Sequence, residues 1–275
     1  MTRLADLHIH TYFSDSTSSP EEVVEQAHEQ GLDCISISDH DTIEGIEPSA
    51  EAAKKYNIEV IAGIELSSEI NGIDVHVLGY LFDLHDREFA DCVDRMQNER
   101  VVRMQKMIDK LRSMGIDNIT SEEVSGLTRS DSLGRPHLAT LLREKGWVTS
   151  TQMAFDKYLA DDAPAFVPKF KQTPYEAIAL IRKAGGVAVL AHPMLTHVDE
   201  LIPGFAEAGL GGLEVYYPGN SDTITRFYEG LAKKYGLVTT GGSDAHGSVK
   251  NHTYVGKVKI PYDLVEKLKD ARCRP

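Results

Sequence analysis

Thiols are scarce in this sequence. Cys34, Cys92 and Cys273 are the only cysteines, an odd number, widely spaced and without a Cys-x-x-Cys pair. That excludes a disulfide framework and points to a reducing, cytoplasmic setting. Basic charge is short as well: 29 lysines and arginines face 42 aspartates and glutamates, a formal net charge of −13. A general nucleic-acid binder needs a basic footprint, so duplex nucleic acid is set aside as a partner. An anionic ligand stays compatible with the acidic chain if bound cations make one site locally positive. No apolar run approaches the roughly 18 residues of a membrane span. No charged-then-apolar leader precedes the first strand-like segment, so export is not expected. Internal repeats and low-complexity tracts are missing too.

Histidine is where the sequence becomes informative. In Asp6-Leu7-His8-Ile9-His10 two imidazoles are separated by one residue inside a short apolar run. Side chains of a strand alternate faces, so both rings are expected on one face, with Asp15 just beyond the strand end. Imidazole is the commonest metal ligand. The rest of the chain repeats the event, with short β-like runs ending in His, Asp or Glu.

The order of those runs suggests the architecture. Pro20 to Gly31 reads as a helix with Ser19 as N-cap, Pro20 first and Glu21 and Glu22 in the opening turn. Cys34 to Ser38 reads as a strand, Ile43 to Tyr56 as a helix, and Ile58 to Leu66 and Asp74 to Phe82 as strands. This rhythm predicts parallel βαβ units. From about Glu88 to Ala160 the pattern turns almost wholly helical. Val93, Met96, Val101, Met104, Ile108 and Leu111 mark one face of a long charged helix, read as packing. Helices are also expected over Arg135 to Lys145 and Ser150 to Leu159. After Pro168 the βα rhythm returns, with strands over Gly186 to Ala191, Gly212 to Tyr217 and Leu237 to Gly241. The expected division is a barrel of residues 1–87 and 166–275 with a helical insertion at 88–165.

The candidate ligands are His8, His10, Asp15, His40, Glu65, His76, His192, Asp244 and His246. Most fall at or just past the carboxyl end of an expected strand, the rim on which parallel α/β folds build their sites. They include six of the eleven histidines, and a shared metal cluster explains that placement economically. His28, His85 and His252 have no such placement and read as solvated.

Asp6-Leu7-His8-Ile9-His10, Ser38-Asp39-His40-Asp41-Thr42, Gly63-Ile64-Glu65, His76-Val77-Leu78-Gly79-Tyr80, Ala191-His192-Pro193 and Gly242-Ser243-Asp244-Ala245-His246 resemble, in order, the motifs of the PHP (polymerase and histidinol phosphatase) family. The resemblance runs from residue 4 to about 250. It implies an α/β fold, a distorted (β/α)7 barrel, holding two or three divalent metals (Mn, Fe or Zn) in its mouth. It implies one ion on His8, His10, Glu65 and Asp244, a second on Glu65, His76 and His192, and a third on Asp15, His40 and His246. Asp15, and the insertion before Arg135-Pro136-His137, resemble the subgroup that hydrolyses small nucleotide phosphates, including 3′,5′-bisphosphonucleotides and AMP. The chain departs from the related pattern at Ser16, where glycine is usual, and at Asn220, where histidine is frequent.

The chemistry agrees with that implication. Two or three divalent cations exceed the charge of three carboxylate ligands and leave a cationic pocket. Two such ions would make a water held between them far more acidic, with a pKa of about 7, and so supply a hydroxide for in-line attack. Glu65 is the expected bridging residue. Arg135, with its planar fork, is the first choice for a phosphate clamp, against a plain helix start with a surface ion pair. His137 is expected to touch phosphate or protonate the leaving oxygen. Lys169, Lys171 and His197 are candidates for further substrate contacts, and Tyr216, Tyr217 and Asn220 lie where a base stacks at the rim. Asp6 and Asp39 read as acceptors that orient imidazoles or as caps; Asp6 shares the face of His8 and favours the first role. For Asp41, before Thr42-Ile43-Glu44-Gly45, a helix cap is favoured. The expected activity is monoester hydrolysis of a small nucleotide-like metabolite. The competing readings are phosphodiester hydrolysis of short oligonucleotides or cyclic phosphates, a histidinol-phosphate phosphatase, and a non-catalytic PHP scaffold. No obligate protein partner is evident.

Overall fold

A computed structural model describes residues 3–127, 133–168, 172–249 and 253–272. Its strands are β1 (Leu4–Ile9), β2 (Cys34–Ile37), β3 (Glu59–Ile70), β4 (Ile73–Tyr80), β5 (Val187–Leu190), β6 (Gly212–Tyr216), β7 (Val238–Gly241) and β8 (Ile260–Pro261). Its helices are α1 (Pro20–Glu29), α2 (Ile46–Ala53), α3 (Arg87–Ser113), α4 (Ser121–Ser125), α5 (Arg135–Glu144), α6 (Thr151–Ala154), α7 (Pro174–Lys183), α8 (Pro193–Thr196), α9 (Ile202–Glu207), α10 (Asp222–Tyr235) and α11 (Tyr262–Asp270).

The strands form one sheet in the order β7-β6-β5-β4-β3-β2-β1-β8, curled until its ends nearly meet. Ile9 bridges Ala245, and the His10 amide donates to the Ala245 carbonyl at 3.0 Å. Gly242 permits that approach: a Cβ there would lie 2.3 Å from the Cβ of His8. The short β8 pairs antiparallel with the start of β1. The result is a mixed α/β barrel, nearly closed and eight-stranded.

One expectation fails in an informative way. β1, β2 and β3 are mutually parallel, as are β5, β6 and β7, but β4 runs antiparallel to both neighbours. β3 and β4 form a hairpin across Asn71 (φ 53°) and Gly72 (φ 82°). Two consecutive left-handed residues suit a two-residue hairpin turn, and Asn-Gly is its preferred sequence. His76 therefore reaches the mouth from the first half of a reversed strand, not from a carboxyl end.

Helix starts follow local chemistry. The Ser19 hydroxyl accepts from the Glu22 amide at 3.2 Å, while the Glu22 carboxylate accepts from the Ser19 amide at 2.8 Å, a reciprocal cap ahead of Pro20. α2 begins at Ile46, later than expected, and Asp41 does not cap it.

Apolar packing falls into separate clusters. The main one joins the sheet to its helices and includes Phe89, Val93 and Met96 from the first half of α3. Met104, Met107, Ile108 and Leu111 from the second half pack with Leu138, Leu142 and Leu159 in another. The methionine stripe is thus core, and α3 ties one core to the next. Among the described residues no helix is long and apolar enough to cross a membrane.

Candidate metal centre

At the barrel mouth the side chains converge on Glu65, a carboxylate with no exposure on β3. Its Oε1 lies 2.8 Å from His76 Nδ1 and 3.0 Å from His192 Nε2. Its Oε2 lies 3.2 Å from His8 Nε2, 3.3 Å from His10 Nε2 and 3.1 Å from His40 Nδ1. Asp244 Oδ1 adds a second focus, 3.2 Å from His10 Nε2 and 3.5 Å from His246 Nδ1. Asp15 supplies a third, 3.2 Å from His246 Nε2 and 3.9 Å from His40 Nε2. All nine sequence-selected candidates meet in one knot.

Within it, three groups bring their ligand atoms within 4.8 Å of one another: His8, His10, Glu65 and Asp244; His10, Asp15, His40 and His246; and His40, Glu65 and His76. The first coincides with the expected set. The second adds His10 to the expected three, and the third has His40 where His192 was expected. His192 still approaches Glu65, at Oε1 beside His76, whereas His40 approaches Oε2.

The donor chemistry fits cations. Ligands about 2.1 Å from one ion lie roughly 3.0–3.5 Å from each other, close to the separations observed. His8 Nδ1 donates to Glu214 Oε1 at 2.9 Å. Neutral His8 therefore presents a bare Nε2 lone pair to a carboxylate oxygen, and to His10 Nε2 at 3.1 Å. Those contacts repel unless positive charge sits among them. Without metal, protons supply it in part. Burial opposes charging of His8 and His10, but the carboxylates prevail and raise His8 well above its usual value and His10 to about 9. Burial likewise opposes ionising Glu65 and Asp15, yet the surrounding imidazoles hold both well below the usual carboxylate range. Burial and neighbouring imidazoles push His40 down to about 3 despite Glu65 and Asp15. Protons alone do not balance such a knot; bound metal cations would.

Carboxylates behind the ligands hold the frame. Glu214, which the sequence reading missed, is fully buried on β6. Besides accepting from His8, its Oε2 accepts from the His192 amide at 2.8 Å, where His192 adopts φ 26°. Its only sequence signal is an acidic residue inside the apolar run Gly-Leu-Glu-Val-Tyr. Asp6 accepts from the amides of Ser243 at 2.9 Å and Gly256 at 2.8 Å. It thus braces the backbone around Asp244 rather than orienting an imidazole. Burial lifts its pKa to about 6 against those hydrogen bonds. Asp39 accepts from the Thr11 amide (2.7 Å), the Thr11 hydroxyl (2.6 Å) and the Ser14 hydroxyl (2.6 Å), joining two ligand-bearing loops.

The expected substrate residues are less uniform. Arg135 donates to the Leu159 carbonyl at 3.0 Å and to Asp161 at 2.6 Å. His137 is buried; its Nδ1 accepts from the Gly134 amide at 3.1 Å, so its proton resides on Nε2, facing the Ser14 carbonyl and Asp15. Burial depresses its pKa, and a neutral imidazole is a poor acid, which argues against its protonating a leaving group. His197 is exposed at the end of α8 with φ 53°. Asn220 Nδ2 donates to the Val215 carbonyl at 3.0 Å and braces the turn after β6. Tyr217 donates to Asp244 Oδ2 at 2.8 Å, facing the centre instead of a stacking position, and Tyr216 bonds Glu229 of α10. Lys169 and Lys171, and with them His252 and Cys273, lie outside the described residues.

Comparison with known proteins agrees with this geometry. The family model described as "PHP domain" matches residues 6–267. A 5′-3′ exoribonuclease of Haemophilus influenzae is 33% identical, over 90% of this chain and 91% of its own length. A phosphoribosyl 1,2-cyclic phosphate 1,2-diphosphodiesterase of Eggerthella lenta is 28% identical over 92% and 98%. A 3′,5′-nucleoside bisphosphate phosphatase of Chromobacterium violaceum is 28% identical over 91% and 90%. A crystal structure from Bifidobacterium adolescentis, of a protein proposed to be a metal-dependent phosphoesterase, superposes with a TM-score of 0.87 at 28% identity, covering 98% of this chain and 96% of its own. With a family model spanning nearly its whole length, this chain belongs to the PHP domain family.

Proposed function

We infer that this chain, a metal-dependent phosphoesterase, hydrolyses a phosphate monoester of a small nucleotide-like metabolite, a 3′,5′-bisphosphonucleotide or a nucleoside monophosphate. The observation that carries the reading is the third ligand group, His10, Asp15, His40 and His246, adjoining the two around Glu65. A monoester dianion needs more positive charge than a diester, and the added group supplies a place for it. His8, His10, Glu65 and Asp244 would hold one ion, Glu65, His76 and His192 with His40 a second, and Asp15, His40 and His246 with His10 a third. Bound Mn²⁺, Fe²⁺ or Zn²⁺ would lower the pKa of water and polarise the phosphoryl oxygens.

The protein's own groups complete the site. Arg135 clamps phosphate by exchanging Asp161, whose side chain is 72% exposed and is therefore a weak partner in water. His137 donates from Nε2 rather than serving as proton source. The helical insertion carries both residues, and His137 faces the loop of Asp15. The buried free thiol of Cys34 suits a reducing cytoplasm.

The 33% identical exoribonuclease favours a second reading, phosphodiester cleavage of short oligonucleotides. Chromatography of products from bisphosphonucleotides, AMP, cyclic phosphates, histidinol phosphate and 5′-phosphorylated oligonucleotides separates the two. Inorganic phosphate from the monoesters is expected, and turnover of diesters alone would overturn the monoesterase reading.

A further inference from the structure

The helical insertion touches the centre at particular places. Arg100, on the polar side of α3, reaches down to the loop behind His40. Its Nε donates to Asp41 Oδ2 at 2.8 Å, its Nη2 bonds the same oxygen and the Ser67 hydroxyl at 2.9 Å, and its Nη1 reaches the Leu133 carbonyl at 3.4 Å. Asp41 is almost wholly buried, with a side chain 3% exposed. It holds a left-handed φ of 51°, donates its amide to the Glu65 carbonyl at 3.1 Å and accepts from the Ser67 amide at 2.7 Å. Ser67 is two residues past Glu65 and faces His76 across the hairpin. A strained turn carrying a buried carboxylate keeps its shape only with a counter-charge, and Arg100 is that charge. A few residues along, His137 of α5 faces Ser14 and Asp15. The two loops the insertion grips are thus those bearing His40 and Asp15.

We propose that the insertion is a structural part of the third metal position, with Arg100 as a positioning residue that fixes His40 through Asp41 and Ser67. The inference rests on the functional reading above. The remaining ligands stand on the strands or on the segments that close the barrel, and His192 backs the Glu65–His76 position if His40 moves. Loosening the strut therefore weakens one ion selectively.

The test is metal stoichiometry by elemental analysis with Mn²⁺ titration of the full-length protein, comparing wild type, Arg100→Met, Arg100→Lys and the double variant Asp41→Asn/Arg100→Met. The double variant carries no orphaned buried charge and serves if the single one fails to fold. The expected result is loss of about one equivalent, or at least tenfold weaker binding of the last ion, with the others retained. Lysine keeps the charge but lacks the paired Nε and Nη2 grip on Asp41 and the reach to the Leu133 carbonyl, so it restores binding only partly. Equal loading by wild type and the methionine variants, uniform loss of all ions, or a wild type that binds no more than two overturns the proposal. Phosphate release by the wild type, measured alongside, judges the hydrolase reading separately, because the ion count does not depend on turnover.

Discussion

Replacing Glu214 with glutamine keeps the size of the side chain and removes one capability. In the native protein both carboxylate oxygens accept, one from His8 Nδ1 at 2.9 Å and the other from the His192 amide at 2.8 Å. An amide has only one acceptor end. If its oxygen serves His8, its NH2 meets the His192 N–H, donor against donor. If it is flipped, the NH2 faces His8 Nδ1 and drives the ring proton to Nε2, the atom that points at Glu65 and Asp244. Either way one buried hydrogen bond to a charged group is lost, with no water to replace it. Such a loss costs about 1–3 kcal/mol, which is roughly 5- to 150-fold in metal affinity at about 1.4 kcal/mol per decade. That range overlaps the roughly 10- to 100-fold typical of carboxylates behind metal-bound imidazoles. Competition titration of Mn²⁺ or Zn²⁺ against a chromophoric chelator measures it, with circular dichroism to confirm folding. A folded Glu214→Gln protein with wild-type metal affinity would refute the argument that Glu214 sets the His8 tautomer.

Glu65→Ala removes the acceptor shared by five imidazoles, so elemental analysis should find at most residual metal and hydrolysis should vanish; retained metal with full activity would disprove its central place. Arg135→Ala should raise KM or lower kcat about tenfold or more with unchanged metal content, whereas loss of metal would show that the residue supports the ligands instead. Metal affinity should climb with pH. In the metal-free knot His8 is raised well above its usual value and His10 to about 9, so both hold protons at neutral pH that an entering cation displaces. The gain, up to about tenfold per pH unit for each displaced proton, fades for the His10 proton above about 9; calorimetry in buffers of different ionisation heat counts the protons, and a flat profile from pH 6 to 9 contradicts the assignment.

What the sequence discloses and what it hides divide along a physical line. His8 and His10, and the Asp244–His246 pair, are legible because strand alternation and a strand end fix their direction before any tertiary contact. The start of α1 is legible because Ser19, Pro20 and Glu22 act within a single turn. The reversal of β4 was present as Asn71-Gly72, but the polar stretch Ser67-Ser68-Glu69 disguised the end of a 12-residue strand, and the preceding βα rhythm argued for a parallel partner. Asp41 looks like a cap because Asp before Thr usually is one; its true partners, Arg100 and Ser67, lie far along the chain. Glu214 and Arg100 are opaque for the same reason. A glutamate on a strand or an arginine on a charged helix has no distinctive neighbours in sequence, and its role exists only once distant elements meet.

The bridge between Ile9 and Ala245 joins the opening and closing portions of the polypeptide, and the ligands His8, His10, Asp244 and His246 straddle that seam. A nascent chain therefore has no complete set of donors until β7 and the residues just after it have emerged and docked. The cations act as rivets on the join, so chelation should open the barrel there first, and hydrogen exchange should quicken at β1 and β7 before it reaches β3.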